Sequence, residues 1–277
     1  MPTIGMPKVK IVFESAGLTA IQRSARGIVL LLIKSKNPEE QGEYKLNSLF
    51  DLDEKKQFSE ETIKFIRLAF KGKPNKVIAE VYGDNYPLTN VVNKLRLVKF
   101  NYYAAPNATD EELEKIKSWH SEMVEVKDRT IKFVGYNYQA DDETVINWVV
   151  PRVTFDGKDY TGQEFTVLIA SQLAALPLSR SFTYFTWPEL TDAELPYADD
   201  EDKAVNEGKL FLTYNGESYK IARGVNSLTT YSDKKGEDFS KIKIVDSMHM
   251  IKDDIRDTWE EFYVGKYRNT YANKMQF

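Results

Sequence analysis

Ser227, Thr229 and Thr230 follow Arg223 and Gly224 closely in the segment Ile221-Ala-Arg-Gly-Val-Asn-Ser-Leu-Thr-Thr230. Hydroxyls placed this way suggest two kinds of chemistry. A serine nucleophile needs a base within hydrogen-bond reach and a third group that orients the base. The chain has two histidines, His120 and His249, and both fall in stretches that read as helix, a poor platform for a triad base. The segment is also not the Gly-x-Ser-x-Gly elbow that sets a serine on a strand-to-helix turn. An anion cradle needs several glycines ahead of a helix N-terminus. Gly224 stands alone, and Val225, Leu228, Thr229 and Thr230 favour strand. The segment therefore reads as a strand with one tight turn, Asn226 and Ser227 bonding nearby backbone.

The acidic clusters read similarly. Asp199-Asp-Glu-Asp202 lacks the alternating ligands and central glycine of a calcium loop, so it reads as a solvated run. Asp141-Asp-Glu143 reads as a helix N-cap. Asp253 and Asp257 share a helix face with no base or metal-ligating histidine beside them. Trp119 and Trp259 fit core stripes. Lys99-Phe-Asn-Tyr-Tyr103 mixes a base with aromatics but alternates as a strand. No catalytic, cofactor-binding or metal-ligating set emerges, and no cofactor is expected. An α/β hydrolase and an anion- or nucleotide-binding module stand as alternatives without a nameable site.

Composition points the same way. The chain has 277 residues, 38 basic and 42 acidic, for a net charge of −4. That balance gives no global drive toward nucleic acid or an anionic membrane. There is no cysteine, which removes disulfides, thiolate nucleophiles and thiolate metal sites and fits synthesis in a reducing cytoplasm. The first residues lack the pattern of a signal peptide. The most apolar run, residues 27–33, is far shorter than the ~20 residues of a membrane span. Neither nucleic acid nor membrane insertion is expected.

Residues 8–13 alternate, with Val9, Ile11 and Phe13 on one face and Lys8, Lys10 and Val12 on the other. Two readings are open for this strand: an edge of the chain's own sheet, or an arm that pairs with another molecule. From residue 27 strands and helices alternate. Strands are expected at 28–33, 76–82, 98–103, 130–136 and 181–186. Helices are expected from Ser59, which caps a stripe of Ile63, Ile66, Ala69 and Phe70, then at 89–96, from Thr109, at 142–149 and from Thr161. Thr109-Asp-Glu-Glu112 and Thr161-Gly-Gln-Glu164 are capping boxes. This order predicts a mostly parallel sheet with helices on both faces. Residues 188–202 are acidic and interrupted by proline. Asn215-Gly216 between apolar runs signals a hairpin. A strand at 241–245 and a helix from about 247 follow, with Ile251, Ile255, Trp259, Phe262 and Tyr263 as its packing stripe. The expected division is an arm and linker at 1–26, an α/β core at 27–188, an acidic linker at 189–208 and an α+β domain at 209–277.

Several phrases together resemble a known family. They are Ala20-Ile-Gln-Arg-Ser-Ala-Arg-Gly-Ile-Val29, Tyr160-Thr-Gly-Gln-Glu-Phe165, Ala174-Ala-Leu-Pro-Leu-Ser-Arg-Ser181, the segment from Ile221 to Thr230, Lys241-Ile-Lys-Ile-Val245, Asp253-Asp-Ile-Arg256 and Tyr263-Val-Gly-Lys-Tyr267. In this order, along nearly the whole chain, they resemble contractile tail sheath proteins of the short type found in myophage-like elements and phage-tail-like bacteriocins. The resemblance implies an α/β core of subtilisin-like topology without a protease triad, and a C-terminal α+β domain lying against an inner tube. Family members continue beyond the position of Phe277, so residues 209–277 are expected to be part of that domain. The implied function is structural: a helical homo-oligomeric sleeve that contracts and drives the tube through an envelope. The implied partners are the tube, baseplate and terminator proteins, in a virion tail or tail-like particle built in the bacterial cytoplasm. Residues 8–13 are then the candidate intersubunit arm. Lys252, Asp253, Arg256 and Asp257 are the candidate tube-facing charges, left outward while the apolar stripe packs on its own domain.

Overall fold

The computed structural model describes residues 27–53 and 58–262. The strand expected at 8–13 and the motif at 263–267 lie outside the described residues.

The run Ile-Val-Leu-Leu-Leu-Ile-Lys forms β1 (Ile28–Lys34). Alternate residues of a strand point to opposite faces. Both faces of β1 are covered, which is why its sequence is continuously apolar. Val29, Leu31 and Ile33 enter one buried cluster, and Leu30 and Leu32 enter the other. Then come β2 (Gly42–Leu46), the short α1 (Phe50–Asp53), α2 (Glu60–Lys71), β3 (Lys76–Tyr82), α3 (Leu88–Leu95), β4 (Tyr102–Ala104), α4 (Asp110–Ser121), β5 (Lys132–Tyr136) and β6 (Val145–Trp148). A hairpin of β7 (Arg152–Phe155) and β8 (Lys158–Thr161) leads into α5 (Gly162–Ala175). The rest comprises β9 (Leu190–Ala193), α6 (Glu201–Asn206), β10 (Lys209–Leu210), β11 (Leu212–Tyr214), β12 (Tyr219–Ile221) and the long α7 (Ile242–Phe262).

Seven strands form the central sheet in the order β10-β6-β5-β4-β1-β3-β2. All neighbours are parallel except β2, which runs antiparallel to β3 at one edge. Helices α2 and α5 cover one face, and α3 and α4 the other. The mixed α/β class with a mostly parallel sheet is as expected. Strands β8-β7-β9 form a small antiparallel sheet, and β11-β12 a hairpin. That hairpin turns at Asn215-Gly216, where Gly216 takes φ +93° and the Asn215 side chain accepts from the Ser218 N–H.

Caps fall where the sequence places them. Ser59 accepts from the Thr62 N–H at the start of α2, and Thr109 and Thr161 complete capping boxes for α4 and α5. Gly72 ends α2 with an ordinary right-handed backbone. A Cβ there would lie 2.6 Å from Ser171 Cβ and 2.7 Å from the Gln172 nitrogen. Glycine is needed at that position for the close approach of α2 to α5.

Four expected elements differ. The strand read through Val225, Leu228, Thr229 and Thr230 is irregular backbone with one isolated bridge, Val225 to Lys241. Residues 142–149 hold the buried strand β6 at Val145–Trp148, not a helix; its β-branched Val145 and Ile146 pair with Phe133 and Val134 of β5. Residues 181–186 form turns, with Phe182 and Phe185 packed on Trp187, and Thr186 makes one isolated bridge to Lys220. Residues 242–245 are the first turn of α7, not a strand. Lys-Ile-Lys-Ile-Val alternates with period two, but Ile242 and Val245 also satisfy the i, i+3 helical spacing, and these two are the buried ones.

Candidate functional site

The hydroxyl-rich segment is a fastening. Ser227 is fully buried. Its Oγ donates to the Asp142 carbonyl at 2.9 Å and accepts from the Asp142 N–H at 3.2 Å. Its N–H reaches the Val145 carbonyl, and its carbonyl accepts from Gln139. Asp141 Oδ1 accepts from the Thr229 N–H at 2.7 Å and the Thr230 N–H at 2.8 Å. Hydrogen bonds from Thr230 and Thr229 hold this carboxyl down at about 2. Asp141 therefore ties two loops together and caps no helix. Asn226 donates to Phe239 and accepts from the Leu228 N–H. His120 bonds Thr144 at 2.8 Å through Nε2. The Ser227 hydroxyl has both its roles filled by backbone, a structural use of the segment. In the acidic run, Asp200 caps α6 by accepting from the Lys203 N–H.

The residues singled out near the C-terminus come together along α7. The helix lies across the N-terminal ends of β4 and β5 and bonds to the body at five successive points. Asp246 accepts from Tyr102 at 2.8 Å and pairs with Lys132 at 2.7 Å. Asp253 accepts from Thr130 at 2.8 Å. Lys252 and Arg256 converge on Asp128, Arg256 at 2.7 Å. Lys99 meets Asp257 at 2.8 Å. These contacts are unequal. Lys132 is buried, so its pairing with Asp246 is required to offset lost hydration. Side chains 78% and 55% exposed, as for Lys99 and Asp257, give a pair that contributes at most about 1 kcal/mol. Asp246 with Lys132 and Tyr102 is the anchor, and the outer pairs set the helix direction.

Charge and burial shape the anchor's surroundings. Burial, and then the adjacent Asp246 carboxylate, push the Tyr102 hydroxyl well above its ordinary value. His249 sits on the same helix face. Desolvation, with Lys132 and Lys252 nearby, lowers its imidazole to about 3, and its Nδ1 has no partner among the described residues. The hydrogen bond from Lys252, and then Arg256, keep Asp128 below the usual carboxylate range. A cleft of ≈ 620 Å³ opens beside the anchor, between α7 and the residues that follow α5, lined by Tyr102, Lys132, Leu176, Leu178, Asp246 and His249. No grouping of histidine and acid suited to a metal occurs among the described residues.

Lys252, Asp253, Arg256 and Asp257 were expected outward, over a helix packed by its apolar stripe. The structure has the reverse orientation. The four charges are tied to the body, and Ile251 and Ile255 of the stripe are 54% and 65% exposed. Trp259, Phe262 and Tyr263 fall outside the described side chains. Sequence reasoning passed over Asp246, Lys132, Tyr102, Asp128 and Thr130. A signal for the first existed: Asp246, His249 and Asp253 repeat at i, i+3 and i+7, a polar stripe opposite the apolar one. The partner residues lie more than a hundred positions away, at the starts of β4 and β5 and in the loop before β5, and their meeting with α7 is not encoded in the local pattern.

No helix among the described residues is long and apolar enough to cross a membrane. No protein-family model matches the chain. Among solved structures, the sheath tail protein Lin1278 of Listeria innocua superposes with TM-score 0.75 at 18% identity, covering 88% of this chain and 81% of that one. The helical sheath of the anti-feeding prophage in its contracted state superposes with TM-score 0.66 at 12% identity, covering 98% of this chain and 80% of that one. These likenesses show the shared fold. In sequence, the phage-like element PBSX protein XkdK of Bacillus subtilis is 23% identical over 62% of this chain and 38% of its own length. The tail sheath protein of Clostridium phage phiCD119 is 33% identical over 99% of this chain and 77% of its own length. Identity at that level along essentially every residue is kinship, and the chain belongs to the tail sheath proteins.

Proposed function

We propose that the chain is a non-enzymatic structural subunit that assembles with its own copies as a helical sleeve around an inner tube, and that contraction of the sleeve drives the tube through a target envelope. The observation that carries this reading is the alignment with a phage tail sheath protein over 99% of the chain. The rest of the particle follows by kinship: a tube inside, a baseplate at one end, a terminator at the other, and assembly in the bacterial cytoplasm. The core is proposed to follow a subtilisin-like topology with its serine site replaced by framework. The proposed units are an arm at 1–26, a core at 27–188, a linker at 189–208 and an α+β unit at 209–277.

Two surfaces enter this reading. Residues 8–13 are the strand that joins neighbouring subunits. The second is the margin of α7 that bears Lys252, Asp253, Arg256 and Asp257: since all four bond to their own body, only the outer, half-exposed rim they form, with Lys99 and Asp257 at its end, is left to meet the tube. Salt weakens such contacts, and they release when subunits reorient. The test is to mix the purified chain with the inner tube protein of the same particle and image the product by electron microscopy. Ordered sleeves on tubes are expected. Bare tubes beside dispersed subunits would count against the reading.

A further inference from the structure

Two surfaces of the body carry opposite charges that find no counter-charge among the described residues. One is a groove of ≈ 840 Å³ between α2 and the β7–β8 hairpin. Leu68 and Phe155, both buried, give it an apolar floor. Two of its bases are committed, Lys64 to Glu164 at 2.6 Å and Lys71 to Asp156 at 2.9 Å. Arg67 and Lys158 are exposed and meet no carboxylate among the described residues. Arg67 lies about two turns along α2 from Glu60 and Glu61, toward the helix end that favours cations. The other surface is the acidic run. Residues 188–202 contain no Lys or Arg. Asp200 caps α6, but Asp199 and Asp202 are exposed and meet no base among the described residues. Pro196 and Ala198, just before them, are exposed as well.

We propose that these surfaces are the two halves of one contact between copies: the acidic run of one chain seats in the α2–hairpin groove of the next, and Asp199 and Asp202 meet Arg67 and Lys158. Opposite charge selects this pairing and disfavours groove on groove or run on run. The fold sets the halves on opposite flanks. Helix α2 packs over β1 and β3, whereas α6 packs on the edge strand β10. β1 and β10 are four strand spacings apart, about 19 Å. A chain therefore offers its run to a neighbour and not to its own groove. The contact is heterologous, since two different patches meet. A row of copies joined this way leaves an open groove at one end and an open acidic run at the other. Such a row has a direction, as a sleeve with different proteins at its two ends requires. Each exposed pair contributes at most about 1 kcal/mol, so the contact holds by repetition along the row and loosens with salt.

This pairing rests on the reading of the chain as a self-associating sheath subunit, and its test separates the two. Sedimentation velocity of the purified chain, without tube and at low ionic strength, should show oligomers that grow with concentration and dissolve with added salt. The double variants Arg67→Glu/Lys158→Glu and Asp199→Lys/Asp202→Lys should each weaken association at least ~10-fold. Circular dichroism should be unchanged, because none of the four side chains bonds within its own chain among the described residues. Either variant alone carries like charges on its groove and its run. In an equimolar mixture of the two, every junction between unlike chains joins opposite charges, so oligomers should return to wild-type size. A wild-type chain that stays monomeric at every concentration overturns the proposal. So does a double variant that associates like wild type, or a mixture no larger than its components. Normal sleeves on tubes from either double variant alone would remove this contact while leaving the sheath reading intact. Chains whose mixture restores association but whose wild type never builds sleeves would tell against the sheath reading and not against the contact.

Discussion

Both histidines of the chain are held neutral. Burial lowers His120 to about 4 and His249 to about 3, against an ordinary value of 6.5. Unfolding returns the imidazoles to water, where they take up protons below 6.5. Between 6.5 and about 4 the unfolded chain therefore binds more protons than the folded one. Stability is complete above 6.5 with respect to these groups and falls as pH falls through that window. The prediction is that His249→Leu, which removes one titrating site from the anchor face of α7, flattens the fall. Urea-unfolding midpoints at pH 7, 6 and 5 measure it. An acid sensitivity equal to wild type would mean that His249 is not the buried neutral group described here. At this scale the sequence was informative about what Ser227 is not. Its isolation from any base was legible, whereas its bonding to Asp142, 85 positions away, belongs to tertiary structure.

Elements were legible in proportion to how much of their pattern was local. β3 was expected at 76–82 and spans those residues; the caps of α2, α4 and α5 were read from three or four residues each. The failures have one cause, a pattern that serves two periods or none. Residues 242–245 alternate like a strand and repeat like a helix, and contact with the body decides between them. The orientation of α7 was misread because an apolar stripe is ordinarily the packed one; here the polar stripe packs, through an anchor made by Lys132 and Tyr102. The anchor can be tested as an element-level device. Asp246→Asn leaves the Lys132 ammonium buried without its counter-charge, a change that typically costs about 3–5 kcal/mol. Replacing both partners, as Lys132→Met/Asp246→Asn, should recover most of that loss, because the uncompensated charge is gone. Equilibrium urea unfolding of the three variants measures the coupling. A single-variant loss under about 1 kcal/mol would place the pair with ordinary surface ion pairs and assign the seating of α7 to Ile242 and Val245 instead.

For the whole molecule, the question is how rigid subunits stay joined while they reorient. In the central sheet β1 is paired on both sides, by β3 and β4, and its middle residues are fully buried. A further strand from residues 8–13 has no place beside β1; the sheet's ends are β2 and β10. A strand that pairs with a neighbouring subunit supplies main-chain bonds that persist while bodies rotate, and its apolar face, Val9, Ile11 and Phe13, sets register. The link at 14–26 has 13 residues, a reach of up to ~43 Å when extended, about the diameter of a domain. Deleting residues 1–13 is therefore expected to leave thermal unfolding of the monomer within a few degrees of wild type and to abolish stable sleeves. Melting curves and electron microscopy of the same preparation decide the matter. Sleeves of normal length from the truncated chain would remove the arm from assembly. Loss of the monomer's cooperative melt would instead make residues 8–13 a strand of the chain's own fold, and the joint between subunits would then have to lie elsewhere on the body.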